Sequence, residues 1–138
     1  MLPITASSVR LFLHVLGATV WVGGQIALAS IVPVARKAGG LETTRAVARR
    51  FQMIAWPAFA LLVVTGVWNL FEVHAADQSS TYLATLFVKL ILVGISGACA
   101  LGHIFVTRRS PALGGALAGL ALLAALGATF FGVQLLAG

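Results

Sequence analysis

Four long apolar runs dominate this chain, at about residues 8–33, 47–73, 82–106 and 113–137. Each exceeds the roughly 20 residues that cross ~30 Å of hydrocarbon. Backbone polar groups in lipid must be satisfied internally, so each run is expected to be an α-helix. The breaks between them, RKAGGLETTR, HAADQSS and TRRSP, are polar or hold helix breakers. Composition agrees: 60% of the 138 residues are hydrophobic and only 9% are charged. A soluble domain carries roughly 25% charged residues. The expected fold is all-α: a polytopic membrane protein forming one antiparallel four-transmembrane-helix bundle over residues 1–138. No linker or domain boundary is visible, and the longest break is about a dozen residues.

The formal charge of +6 comes from clustered cations. Arg36, Lys37, Arg45, Arg49 and Arg50 lie in the first break, and Arg108 and Arg109 in the third. The second break holds His74 and Asp77 and no Lys or Arg. The positive-inside rule then places the first and third breaks in the cytoplasm and both termini outside, in a multi-pass cell-membrane protein. Arg10 weakly opposes this orientation. No basic face with interleaved aromatics appears, which excludes nucleic-acid binding. A cleaved signal peptide would explain ALAS in the first run, but that run is longer than a signal core of ~7–15 residues. One cysteine, Cys99, allows no internal disulfide. With three acidic residues in all, paired-carboxylate chemistry has no material to work with.

Two ionisable residues inside the apolar runs point to a site: His14 in RLFLHVLGATVWVGG and Lys89 in YLATLFVKLILVGISG. Such residues are costly in a bilayer and face a protein interior, a cavity or a cofactor. Helical spacing puts Arg10, His14, Gly17, Trp21, Gly24, Gln25 and Leu28 on one face of the first helix. Thr65, Trp68, Asn69 and Glu72 form a polar stripe on the second. Lys89, Ser96 and His103 share a face of the third, and Gln134 stands on the fourth. At ~1.5 Å per residue, His14 and Lys89 both lie roughly 10 Å below the outer boundary, level with the second-helix stripe. His103 lies about 21 Å deeper than Lys89, near the cytoplasmic face. The pattern suits a haem or metal site between helices, with His14, Lys89, Arg10, Trp68 and Asn69 as its contacts. A separate inner site around His103 stays open.

Plainer readings exist for each residue. His14 fits a neutral imidazole bonded to a neighbouring helix, and Lys89 fits an amine snorkelling to the interface. His103 fits an interfacial residue beside Arg108, and His74 a solvated one. The tryptophans fit packing and interface roles. Cys99, His103 and Met53, at similar inner depth, form a second candidate metal set, since thiolate, thioether and imidazole suit Cu(I), while His14 is the candidate metal ligand of the outer site. The small residues of the third and fourth helices, Gly94, Gly97, Ala98, Gly114, Gly115 and Gly119, mark places of close helix approach. Pro111 fits the first turn of the fourth helix, with Ser110 as its cap.

Leu13-His14, Trp21-Val22-Gly23-Gly24, Pro33 and Arg36, followed by Thr65-Gly66, Lys89 and His103, resemble the CopD-type membrane domain. They also resemble the HemJ-type protoporphyrinogen oxidases, small four-helix membrane proteins. The likeness runs through about Arg109. The HemJ resemblance implies haem b held by a first-helix histidine and a third-helix lysine, matched here by His14 and Lys89, and oxidation of protoporphyrinogen. The CopD resemblance implies copper import or resistance. The stretch VGGQIALASIVPVAR departs from the aromatic- and arginine-containing HemJ pattern. Three functions follow as expectations: a haem-b redox or electron-transfer protein, a copper-handling membrane protein, and a non-catalytic accessory subunit of a larger membrane complex. A homodimer is compatible with each.

Overall fold

The computed structural model describes residues 3–137, which form helices joined by short turns, with no strand among them. In chain order these are α1 (Ala6–Glu72), a short 3-10 turn (Ala75–Asp77), α2 (Ser80–Val106) and α3 (Pro111–Ala137). All three long elements are apolar and long enough to cross a membrane. Their outward faces carry Phe12, Phe71, Phe87 and Phe130, as lipid contact requires.

The four separate helices expected from the apolar runs are therefore corrected to three elements. Residues 34–46, expected as a polar loop, are helical except at Gly39 and Gly40. Gly40 takes φ 66°, a left-handed conformation that glycine adopts without steric cost. Pro33 lies inside the helix and does not end it. The reason is local: Ala35, Arg36, Lys37 and Ala38, then Leu41, Glu42, Arg45 and Ala46, are good helix formers. Charge marks where the apolar run stops, and the backbone winds on for more than a turn. Helix starts also move outward. Thr5 and Ser8 form a reciprocal capping box before Ala6, and Ser79 caps α2 by accepting from the Tyr82 N–H. Pro111 opens α3 in its first turn, and Ser110 accepts from the Leu113 N–H at 3.3 Å.

The chain divides into two compact units, Met1–Val73 and His74–Gly138. In the first, the arms 6–38 and 41–72 of α1 fold back on each other about the glycine pair. A Cβ on Gly17 would lie 3.0 Å from the Ala58 carbonyl, and one on Gly24 would run into the Phe51 ring. Trp21, only 3% exposed, packs on Phe59 and Trp56 with ring centroids 4.4 and 5.6 Å away. The polar and small face expected on the first helix is thus the face turned to the other arm.

In the second unit α2 packs against α3. Ser96 is buried and donates to the Ala121 carbonyl at 2.8 Å. A Cβ on Gly127 would stand 3.1 Å from Leu92. Ala121, Ala124, Ala125 and Ala128 form the buried ridge of α3. Of the glycines expected at close approach, Gly94, Gly115 and Gly119 face open space, while Gly114 is pressed against Thr107.

The arms of the first unit differ sharply in tolerance to added bulk. Gly17→Val is expected to destabilise by about 1–3 kcal/mol through overpacking against Ala58 and Leu62. Gly23→Ala, whose new methyl meets nothing within 4 Å, is expected to keep or raise stability. Thermal unfolding of both variants in detergent, followed by circular dichroism, checks the contrast.

Candidate functional site

In the first unit the polar residues of the two arms meet in pairs. Arg10 is 6% exposed, and its Nε donates to Asn69 Oδ1 at 2.5 Å. Its Nη1 lies 3.4 Å from the Glu72 carboxylate. The Trp68 ring sits below the guanidinium at 5.9 Å, and its Nε1 donates to Glu72 at 3.1 Å. Arg10, Trp68 and Asn69 therefore form one cluster with Glu72. Much of the guanidinium's charge is met by that carboxylate.

One helical turn further in, His14 faces Thr65. The distance from His14 Nδ1 to Thr65 Oγ1 is 2.9 Å. Thr65 is buried, and its hydroxyl donates to the Leu61 carbonyl at 2.7 Å. A hydroxyl has one proton. With that proton on the carbonyl, Thr65 Oγ1 accepts from His14, so Nδ1 carries the ring hydrogen. The neutral imidazole then holds its lone pair on Nε2, the nitrogen that ligates iron or takes a proton. Gly66 makes room for this ring: a Cβ there would stand 3.2 Å from His14 Cε1.

The second unit holds the other candidates. Lys89 is half-buried, and its ammonium reaches over Gly132, where a Cβ would lie 3.2 Å from Nζ. Bare backbone at Gly132 is what lets the long side chain lie along α3. His103 donates from Nδ1 to the Gly114 carbonyl at 2.7 Å, tying α2 to the first turn of α3. Thr107 Oγ1 stands 3.2 Å from the same nitrogen. Gln134 is exposed, and so is His74 at the start of the unit.

The residues of the copper set fall in both units. Met53 is 68% exposed in the first unit, while half-buried Cys99 and His103 lie one turn apart on α2. Among the described residues no group of three His, Cys, Asp or Glu side chains is arranged to hold a metal ion.

Spacing along each helix does not by itself pair His14 with Thr65, which stand on the stripes of different arms. The missing signal was the tight Gly39–Gly40 break. Counted outward from it, Arg10 meets Asn69 and His14 meets Thr65 at equal distances along the two arms.

Comparison of the chain with known families, with curated proteins and with solved structures finds no match.

The Thr65 hydroxyl is expected to set the His14 tautomer. In protein carrying 15N-histidine, His14 should show a protonated Nδ1 and an unprotonated Nε2 in the native chain and in Thr65→Ser. Thr65→Val should give mixed tautomers.

Proposed function

We propose that the chain is an integral membrane protein that binds haem b at His14 and works in redox chemistry or electron transfer, in the manner of the CopD- and HemJ-like proteins it resembles. The observation that carries this reading is the His14–Thr65 bond. It fixes the imidazole by Nδ1 against the opposite arm, the kind of second contact that a ligating histidine uses. Iron-ligating histidines need this second fixed contact, which sets ring orientation and basicity. The residues present fit the group. His14 would be the residue that holds the iron, and Gly66 carries no side chain against the ring at Cε1. Arg10 and Glu72 pair within the first unit, so the charge beside His14 is largely balanced. Asn69 and Trp68 hold Arg10 in place.

The reading takes four membrane-spanning segments: the two arms of α1, α2 and α3. Arg36 to Arg50 and Arg108–Arg109 face the cytoplasm, and the termini face outside. His14 stands eight residues beyond Ala6 and Lys89 nine beyond Ser80, so both lie about 12–14 Å along their helices from the outer ends. Bound haem b supplies a one-electron couple whose potential is tuned by axial ligand, burial and hydrogen bonding. Thr65 tunes it through His14.

The test is an absorbance spectrum of the detergent-purified protein, oxidised and reduced, with metal analysis on the same sample. A sharp reduced b-type band, lost in His14→Ala and shifted in potential in Thr65→Val, is the expected result. Stoichiometric copper with no Soret band would establish the copper-handling alternative. Absence of both, with His14→Ala impairing assembly only, would establish an accessory subunit.

A further inference from the structure

At the α2–α3 turn the structure holds a second feature, unrelated to His14. An open cavity of about 610 Å³ is lined by Ile104, Phe105, Arg108 and Arg109. Its two walls differ in chemistry. Phe105 is 70% exposed and stands with Ile104 on the last turns of an apolar helix, where a transmembrane segment meets the headgroup layer. Arg108 and Arg109 are both exposed in the turn that follows. The only ion pair among the described residues is Arg10 with Glu72. Asp77, the single acidic residue of the second unit, lies at the opposite end of α2. The turn itself is ordered by bonds from the Arg109 and Ser110 N–H groups to the Val106 carbonyl, both at 2.9 Å. Two adjacent arginines thus line one groove with apolar Ile104 and Phe105, and among the described residues of their own unit neither has a carboxylate paired with it.

We propose that this groove binds one anionic glycerophospholipid, its phosphodiester held by Arg108 and Arg109 and its acyl chain laid along Phe105 and Ile104. Charge complementarity selects the occupant. Guanidinium pairs phosphate through planar paired donors, and uncompensated basic positions at helix ends attract anionic headgroups. The apolar wall distinguishes a lipid from a free anion, which has no use for Phe105.

The experiment is native mass spectrometry of the full chain in neutral detergent, titrated with dioleoyl-phosphatidylglycerol or dioleoyl-phosphatidylcholine. One phosphatidylglycerol per chain is expected, in preference to phosphatidylcholine. Arg108→Gln with Arg109→Gln should weaken it roughly 10- to 30-fold. Arg49→Gln with Arg50→Gln, which removes the same charge elsewhere, should leave it intact. Phe105→Ser, which changes no charge, should weaken it several-fold and decides the matter if the double arginine variant loses its helical circular dichroism. Equal binding of phosphatidylcholine, equal loss in the Arg49–Arg50 variant, full retention in Phe105→Ser, or displacement by millimolar inorganic phosphate would each overturn the proposal.

Discussion

Helices surrounded by hydrocarbon gain little by hiding apolar side chains from one another, since lipid is as apolar as leucine. What joins them is close backbone approach and bonds between polar groups. Both units here are built on that constraint. In the first, Gly17 and Gly24 bring the two arms together, and Arg10–Asn69 and His14–Thr65 bond across the gap. In the second, Gly127 and the alanine ridge allow the approach, and Ser96 and His103 bond to the carbonyls of Ala121 and Gly114. Among the described residues, no buried side-chain nitrogen or oxygen lacks a partner.

This economy shapes the chemistry that the chain can offer. The bond that ties His14 to the opposite arm is also the bond that chooses its tautomer. A hydroxyl already committed to the Leu61 carbonyl has only acceptor capacity left for the imidazole. Arg10 shows the opposite case. Its partners Asn69, Glu72 and Trp68 answer much of its bonding capacity, and it serves the structure more than it serves a ligand.

Much of the framework was legible in the residues. Apolar runs longer than a bilayer is thick predicted helices, and helical spacing predicted which faces would be polar. Arg10, Gly17 and Trp21, read as one stripe, are all buried in their arm, as is Ala35 beyond them. Lys89, Ser96 and His103, read as another, all turn toward α3. Helix ends were read less well. Arg36 and Lys37 leave the apolar run without leaving the helix, because lysine and arginine are good helix formers and water tolerates an extra turn. The break came only where Gly40 adopts positive φ.

The sequence by itself determined that this chain is helical and suited to lipid, because length and apolarity admit no other way to satisfy the backbone there. It also determined which side chains would be awkward in that setting and on which faces they stand. Only the tertiary structure decided their partners. Pairing depends on where the chain reverses, and a shift of the turn by two residues would have set His14 against another neighbour. With the reversal at Gly39–Gly40, Thr65 faces the imidazole, Gly66 gives it room, and its lone pair falls on Nε2.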